Sequence, residues 1–323
     1  MTAGAPAAMR EPIPFGTYLL LERIAVGGMA EIWLAVRPEA PRHRLVVKRL
    51  LPTLADDPAF VTLFLDEARI GATLDHPGIV PVQDLGREPT GYFLAMDYVP
   101  GTDLRALLAH LRQRRQLLPV ALACWIGVQV AEALDHAHRG RGHDGAPLHV
   151  VHRDLSPANL LLGFDGGVRV IDFGVASAAF RAHREGAVLR GKFGYLSPEQ
   201  VRGLPVDRRA DLFSLGAVLH EALAGERLFR GPSDLAVLER VRTADVRPPS
   251  ARNPAVPPAL DAVVLRALSR EPAARPPWAA VLADELRPFT GGTGPAALSA
   301  LLTERFEAEA ARERAWQAGE PGR

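Results

Sequence analysis

The sequence has few of the features that stabilise small secreted proteins or cross membranes. Its 323 residues include one cysteine, Cys124, so an intramolecular disulfide cannot form. Cys124 lies in the apolar stretch 117–126, which predicts a core residue in a reducing compartment and not a reactive or metal-binding thiol. That stretch contains Pro119 and is shorter than the ~18 uninterrupted apolar residues that cross a bilayer. We therefore expect no membrane insertion.

An excess of charge of one sign is also lacking. The chain has 38 Lys and Arg against 37 Asp and Glu, which gives a formal net charge of +1. No overall field therefore attracts nucleic acid or an anionic membrane, and we expect no nucleic-acid partner. Residues 1–14 lack the apolar central region of a secretory signal, so we expect a flexible leader and a cytoplasmic protein.

The order of local patterns predicts two lobes. Short β-prone runs at 18–47 and 79–96 indicate a small antiparallel sheet, and residues 58–73 between them have helical periodicity. The segment Val99-Pro100-Gly101 ends this pattern, and the following segments are mostly helical. The sequence predicts an α+β protein. Its expected parts are a leader at 1–14, an N-lobe at 15–98, a C-lobe at 99–290 and a tail at 291–323 with a helix at 297–315.

The first candidate site residues lie in the N-lobe. Gly27 and Gly28 occupy the turn between the first two strands, where backbone N–H groups could approach a phosphate, although such turns are also ordinary hairpin chemistry. Lys48 ends an apolar strand, where a charge is unfavourable unless an anion or a carboxylate meets it. Glu67, on the inward face of the following helix, could meet it. Taken separately, Lys48 and Glu67 would each be read as solvated surface charges.

Two further motifs follow in the C-lobe. The run His152-Arg153-Asp154-Leu155-Ser156-Pro157-Ala158-Asn159 comes after a strand, and Asp172-Phe173-Gly174 follows the next hairpin. They supply two carboxylates and an amide, and hard oxygen ligands of this kind are what Mg²⁺ selects. Each motif alone arises by chance. Together, in this order and with Lys48 and Glu67 upstream, they do not.

This ordered set of motifs resembles that of a protein kinase, most closely the eukaryotic-like Ser/Thr kinases of bacteria. The resemblance runs from about Phe15 to Phe289. It is supported by the run His76 to Val80, by Gly191 to Glu199, and by Asp211 and Arg275. It implies a bilobal fold, with a small antiparallel sheet lobe that carries one helix and a larger, mainly helical lobe.

The resemblance also implies roles for individual residues. Gly27 and Gly28 would cover the phosphates of ATP, Lys48 held by Glu67 would neutralise the α and β oxygens, and Asp154 would orient the substrate hydroxyl. The implied Mg²⁺ ligands are Asn159 and Asp172. The implied contacts of adenine and ribose are Ile32, Val46, Leu161, the hinge from Asp97 to Val99, the gatekeeper Met96 and Asp103. The simpler interpretation of the apolar members is that they are core residues.

Several positions depart from the family pattern. Ala25 and Ala30 replace two of its glycines, and Gly71 stands where a bulky apolar residue is usual. Ser156 replaces a lysine of the catalytic loop, and Lys192 replaces a threonine of the activation segment. We expect these two to have exchanged roles, with Lys192 supplying the ammonium and Ser156 the hydroxyl beside the catalytic Asp.

Three functions are compatible with the sequence. The first is an active Ser/Thr protein kinase that uses ATP and Mg²⁺ on protein substrates. The second is a pseudokinase, a nucleotide-binding scaffold without transfer, which the altered glycines favour. The third is a small-molecule kinase of related fold, against which the peptide-platform residues Glu199, Asp211 and Arg275 argue. The tail either binds a partner or docks on its own domain.

Overall fold

A computed structural model describes residues 11–89, 91–141, 145–173 and 193–319. The chain divides into two units. The sheet unit comprises Met1–Ala72, Pro81–Tyr98 and Arg314–Arg323, and the helical unit comprises Thr73–Val80 and Val99–Glu313. One division between the units falls after Tyr98, and the lobe bounds expected from the sequence stay a prediction. Residues 73–80, expected in the N-lobe, belong to the helical unit.

The sheet unit is built on six antiparallel strands in the order β1-β2-β3-β4-β6-β5. The strands are β1 (Ile13–Phe15), β2 (Tyr18–Val26), β3 (Ala30–Arg37), β4 (Ala40–Leu50), β5 (Val82–Glu88) and β6 (Gly91–Asp97). One helix, α1 (Pro58–Thr73), lies between β4 and β5 in the sequence. The predicted antiparallel sheet is confirmed, and α1 has the predicted bounds.

The core of this sheet is aromatic and aliphatic. The ring of Phe93 contacts those of Phe15 and Tyr18 edge to face, at centroid distances of 5.4 and 5.7 Å, the geometry that aromatic quadrupoles favour. Strand β1 begins at Ile13, inside the segment 1–14 that was expected to be a flexible leader. Pro14 fits there because β1 is an edge strand, where a missing N–H removes no ladder hydrogen bond.

The helical unit holds a second sheet, in the order β7-β8-β9, and most of the helices. The strands are β7 (Gly101–Asp103), β8 (Leu160–Gly163) and β9 (Val168–Val170). The described helices of eight or more residues in this unit are α2 (Leu104–Gln113), α3 (Val120–His138), α4 (Arg209–Ala224), α5 (Asp234–Thr243), α6 (Pro258–Ala267), α7 (Ala279–Leu286) and α8 (Pro295–Arg305). A further helix, α9 (Glu307–Ala318), runs from the helical unit into the last residues of the sheet unit.

Helix α4 is the centre of the helical unit. Every residue from Ala210 to Ala224 is buried, and a helix that is covered on all sides must pack against neighbours all round. Among its neighbours is α3, a mostly apolar helix with the predicted bounds. Among the described residues, every helix is either too short or too polar to cross a membrane.

Two predicted elements differ from the structure. The strand expected at 79–85 is observed at Val82–Glu88, because Ile79 forms a parallel bridge with Val170 and Pro81 has no N–H for the ladder. The single tail helix expected at 297–315 is two helices. The first begins at Pro295, whose fixed φ suits a first helical turn, and the break falls at Phe306, whose φ of −127° and ψ of 49° leave the helical region.

The buried cysteine allows a direct test of this core. Cys124 is 0% exposed, and burial raises the pKa of its thiol to about 12. At about pH 8 the thiol is therefore protonated and inaccessible, and thiolate is the reactive form. We expect a chromogenic disulfide reagent to leave the native protein unlabelled and to label one thiol per chain after denaturation. Rapid stoichiometric labelling of the native protein would contradict this packing.

Candidate active site

Lys48 and Glu67 form a buried ion pair in the sheet unit. The Lys48 Nζ and Glu67 Oε1 atoms are 2.5 Å apart, and the side chains are 11% and 5% exposed. Strand β4 turns Lys48 to the interior, and α1 presents Glu67 on the face that also buries Phe60 and Phe64. A buried charge is unfavourable without a partner of opposite charge. Lys48 and Glu67 can therefore both be buried because each offsets the charge of the other. The structure brings this predicted pair together and excludes the solvated interpretation of both.

Three further predicted residues share the side of the sheet on which Lys48 lies. Ile32 on β3 is opposite Lys48, and Val46 on β4 is opposite Met96 on β6. Because side chains alternate along a strand, Val46 and Lys48 point to the same side, and directly opposed residues share it. Met96 is buried, whereas Ile32 and Val46 keep part of their surface exposed. The arrangement gives a partly open apolar patch next to a cation.

The turn before β3 has room for a ligand. Gly27 N–H donates to the Ala30 carbonyl at 2.8 Å. A Cβ on Gly28 would meet no atom within 4 Å, and one on Gly27 would only touch the Ala30 oxygen at 3.5 Å. Crowding within the chain therefore does not require glycine here. Ordinary turn chemistry and close approach of an external group to the backbone both fit glycine here, and the phosphate-covering role of both glycines stays a prediction.

Gly71 is required by a neighbouring side chain. A Cβ at Gly71 would lie 2.5 Å from Cγ2 of Val82 on β5, far inside contact distance. Val82 thus occupies the space that a bulky residue on α1 would otherwise fill. Gly71 is four residues after Glu67, on the same side of the helix, so this close packing fixes the helix next to the carboxylate of Glu67. The side chain of Val82 on β5 therefore fills the space that the missing side chain at Gly71 leaves.

The end of β6 is held by polar contacts within the sheet unit. The Asp97 N–H donates to the Pro81 carbonyl at 3.2 Å, and its Oδ1 accepts from Gln83 Nε2 at 2.9 Å. Asp97 was predicted to read the adenine edge through its backbone, and these bonds fix that backbone. Val99, the other predicted reader, belongs to the helical unit.

The catalytic-loop motif of the helical unit is organised by Asp211 of α4. Its carboxylate is 0% exposed and accepts from the backbone N–H of His152 and of Arg153, both at 2.8 Å. A third contact, also 2.8 Å, joins it to Nε2 of His138. Burial by itself raises the pKa of Asp211, but the bonds from His138 and the backbone outweigh it and hold that pKa below its usual value. The carboxylate is therefore charged at neutral pH.

One chain of hydrogen bonds joins Asp154, Asn159 and Ile171, the residue before Asp172. Asn159 Nδ2 donates to the Asp154 carbonyl oxygen at 2.8 Å and to Asp154 Oδ2 at 3.3 Å. The Ile171 N–H donates to the Asn159 carbonyl at 3.1 Å, and Asp172 is the next residue in the chain. Arg153 and Asp172 have φ of +66° and +64°, a left-handed conformation that persists only where surrounding contacts hold it. The structure thus joins Asp154 and Asn159 in one network, which extends to Ile171, the residue before Asp172.

Aromatic packing supports the same loop. The His152 and Phe173 rings lie 4.8 Å apart. The other side of His152 contacts the backbone, since its Nε2 is 3.0 Å from the Ile171 carbonyl oxygen. These contacts tie the two motifs together through the side chains of His152 and Phe173.

Ser156 is the departure for which the described residues show no compensation. It is 2% exposed, and its hydroxyl has no hydrogen-bond partner among the residues that the structure describes. Its predicted counterpart Lys192 lies outside the described residues. A buried hydroxyl left unsatisfied is unfavourable by about 1–3 kcal/mol, so Ser156 is positioned to accept or donate a bond to a group from elsewhere.

Two nucleotide-contact predictions fall on β7 and β8 of the helical unit. Asp103 and Leu161 are paired in register on these strands. Leu161 keeps part of its surface exposed while its neighbours Leu160 and Leu162 are buried, which differs from a core residue. Asp103 also has a structural role, because its Oδ1 accepts from the Ala106 N–H at 2.7 Å and caps α2.

The predicted anchor between Glu199 and Arg275 is present. The two terminal Arg275 nitrogens donate to the two Glu199 oxygens at 2.6 and 2.7 Å, a bidentate pair that is nearly fully buried.

Sequence reasoning missed three supporting residues, His138, Gln200 and Glu221. Gln200 Nε2 donates to the Arg153 carbonyl at 2.8 Å, and Glu221 binds Arg112 and the Tyr195 hydroxyl. Their partners are far away in sequence, so no local pattern marks them.

Comparison with known proteins now identifies the fold. A family model for the protein kinase domain matches residues 18–286. The chain belongs to the protein kinase family. The crystal structure of the PknI kinase domain of Mycobacterium tuberculosis superimposes with a TM-score of 0.66 at 30% identity, over 88% of this chain and 100% of that one. The expected kinase fold is confirmed.

Two curated relatives are named for different acceptor residues. Tyrosine-protein kinase MasK of Myxococcus xanthus is 40% identical over 308 residues, 93% of this chain and 48% of MasK. Serine/threonine-protein kinase PknB of Mycolicibacterium smegmatis is 39% identical over 286 residues, 85% of this chain and 43% of PknB. This kinase domain thus spans somewhat under half the length of these relatives.

The contact between Gly71 and Val82 yields a prediction with an unusual sign. Gly→Ala inside a helix normally stabilises by about 0.5–1 kcal/mol. We expect Gly71→Ala to destabilise the domain by about 1 kcal/mol or more, because the new Cβ overpacks against Val82. Denaturant unfolding measures the change. The double variant Gly71→Ala/Val82→Ala should recover stability relative to Gly71→Ala, and a more stable Gly71→Ala single variant would refute the interpretation.

Proposed function

We propose that this chain is the catalytic domain of an ATP- and Mg²⁺-dependent protein kinase that phosphorylates Ser or Thr hydroxyls of protein substrates in bacterial signalling. Family membership supports phosphotransfer as the reaction class. The observation that carries the proposal is the hydrogen-bonded network of Asp154, Asn159 and Ile171, which is the residue before Asp172.

The donor set fits magnesium. Asn159 and Asp172 offer an amide and a carboxylate oxygen, and Mg²⁺ is typically held by one or two such groups together with phosphate oxygens and water. No cluster of three or more His, Cys, Asp or Glu side chains suited to a metal occurs in the described residues. An amide and a carboxylate together fit a cation that arrives with a nucleotide. When bound, the cation would neutralise charge on the phosphates.

The remaining residues position the reactants. Lys48, fixed by Glu67, would bind the α and β phosphate oxygens, and Gly27 and Gly28 would cover them with backbone N–H groups. Asp154 would accept the hydrogen bond, and finally the proton, of the acceptor hydroxyl. The hydroxyl oxygen then bonds to the γ-phosphorus as the bond to the β-γ bridging oxygen breaks, leaving ADP. Apolar contacts from Ile32, Val46 and Leu161 would hold the base.

Transfer to tyrosine is a second candidate function. MasK, which has the higher identity of the two relatives, is named a tyrosine kinase, and Ser156 replaces the lysine of the Ser/Thr catalytic-loop pattern. A phenol reaches deeper than an aliphatic hydroxyl, and it would need room near Asp154. Pro157, which follows the Ser/Thr pattern, favours the first candidate.

A pseudokinase, the further alternative, would retain nucleotide binding without transfer. The protein substrates and the cytoplasmic location stay predictions.

One assay separates these functions. We expect purified protein with labelled ATP and Mg²⁺ to phosphorylate itself or a general protein substrate at Ser or Thr, and Asp172→Ala or removal of Mg²⁺ to abolish the transfer. Mass spectrometry identifies the modified residues. Asp284→Ala, at a side chain that is 74% exposed, is the matched control and should retain activity. Phosphotyrosine alone would favour the second candidate, and nucleotide binding without transfer would favour the pseudokinase.

We also propose that Ser156 and Lys192 have exchanged the roles of the family's lysine and threonine. Supporting this is the buried hydroxyl of Ser156, which has no partner among the described residues although it lies two positions from Asp154. The pattern requires one ammonium to stabilise charge on the transferred phosphoryl group. With serine at 156, Lys192 is the residue whose position in the pattern can supply it.

Kinetics of paired variants test the exchange. We expect Lys192→Thr to lower kcat about 100-fold or more, the usual scale for losing one preorganised charge. The double variant Lys192→Thr/Ser156→Lys, which restores the family arrangement, should regain most of the rate. Arg190→Met, a neighbouring cation in the same segment, serves as the control. Unchanged turnover in Lys192→Thr would refute the exchange.

A further inference from the structure

The end of the C-terminal helix packs on the strand that carries Lys48. Trp316 Nε1 of α9 donates to the Arg42 carbonyl of β4 at 3.3 Å. The guanidinium of Arg44, also on β4, lies 4.9 Å from the Trp316 ring centroid and 4.4 Å from the ring of Tyr98. All four residues belong to the sheet unit. One cation therefore links the tail to the residue that follows β6.

The chain around Trp316 is shaped for this contact. Gly319 has a φ of +77°, and a Cβ there would come 2.9 Å from Nη2 of Arg42. Its backbone conformation favours glycine at this position, and the guanidinium of Arg42 lies close to it. Trp316 is partly buried, whereas Arg312 on the same helix is 75% exposed. Apart from Trp316, α9 has mainly Ala, Glu and Arg and buries only Ala310, so Trp316 is its main apolar anchor.

The preceding helix is also packed, within the helical unit. Leu298 and Leu302 of α8 are 0% exposed, and Ser299 Oγ donates to the Phe164 carbonyl at 2.6 Å. Phe306, at the break between α8 and α9, lies 5.2 Å from the ring of His110. Residues 295–306 are therefore an integral part of that unit and fix the point from which α9 starts.

The position of Arg44 connects the tail contact with the nucleotide-binding residues. Arg44, Val46 and Lys48 are spaced by two along β4 and lie on the same side of the strand. Leu45, next to Arg44, is paired with Asp97 of β6, and Tyr98 follows directly. The contact with Trp316 thus holds both the strand of Lys48 and the segment predicted to read adenine.

We propose that residues 314–319 dock on β4 through Trp316, Arg42 and Arg44, and that this docking holds Tyr98 and strengthens nucleotide binding. The occupant of this surface is the chain's own C-terminal helix. Any event that removes Trp316 would lower the affinity for nucleotide, so the helix can act as a regulatory element. The docking stands on contacts alone, whereas its effect on nucleotide rests on the proposed kinase function.

Two readouts on the full chain test the proposal. The first is the rate at which trypsin cleaves after Arg314, which reports docking and is independent of catalysis. The second is the dissociation constant of a fluorescent ATP analogue. For Trp316→Ala we expect cleavage to be faster and the dissociation constant to rise, each about five-fold or more, the lower end of typical coupling between sites. Alanine maintains helix propensity, so the effect reports the lost side chain.

Matched variants show whether the contact is the cause. Arg44→Gln should change both readouts in the same direction, and the double variant Arg44→Gln/Trp316→Ala should show less than the sum of the two single changes, because both remove the contact between Arg44 and the Trp316 ring. Trp316→Phe, which retains a ring over Arg44, should lose less than Trp316→Ala. Arg312→Ala, on the exposed side of α9, should behave like the parent in nucleotide affinity.

The outcomes are distinguishable. Cleavage after Arg314 at the parent's rate in Trp316→Ala would overturn the docking. Faster cleavage with unchanged nucleotide affinity would overturn the coupling to the site. If the parent itself bound no nucleotide, the proposed function would fail instead, and the proteolysis readout would still decide whether the helix docks.

Discussion

A single buried carboxylate, that of Asp211, holds the segment of the helical unit that contains His152 and Arg153. Asp211 lies on the helix that is covered along almost its whole length, and it receives two backbone N–H groups and a histidine. Its charge would be strongly unfavourable there without them. The bonds that stabilise the charge of Asp211 also hold the backbone of Arg153 in a left-handed conformation. The placement of Asp154, one residue further on, follows from this constraint.

The sheet unit follows the same principle with a different pair. Lys48 and Glu67 are both buried, and removing one partner of such a pair typically costs about 3–5 kcal/mol because the other is left uncompensated. This penalty makes the pair a specific constraint on the angle of α1 relative to β4. Val82 adds a steric constraint, since it packs against the bare backbone of Gly71. Charge and shape together determine where the ammonium of Lys48 lies.

The departures from the family pattern differ in how this fold accommodates them. At Gly71 the lost volume is supplied by a neighbouring strand, so the helix stays packed. At Ser156 the buried hydroxyl has no hydrogen-bond partner among the described residues. Its predicted counterpart, Lys192, lies outside them. The C-terminal helices add contacts outside the matched family region of residues 18–286, and they do so on both units separately.

Local sequence determined the order of the motifs and most of the elements, although the strand expected at 79–85 and the tail helix expected at 297–315 differ from the structure. Helices such as 58–73 and 120–138 could be bounded from apolar periodicity and from Pro, because these signals act within a few turns. The pairing of Lys48 with Glu67 was also predictable, since a lone charge in an apolar strand requires a partner. Only the tertiary structure showed that Val82 fills the space at Gly71, that His138 supports Asp211, and that Trp316 reaches Arg44. Each of these contacts joins residues that are distant in the chain, and their geometry depends on how whole elements pack, which no local pattern encodes.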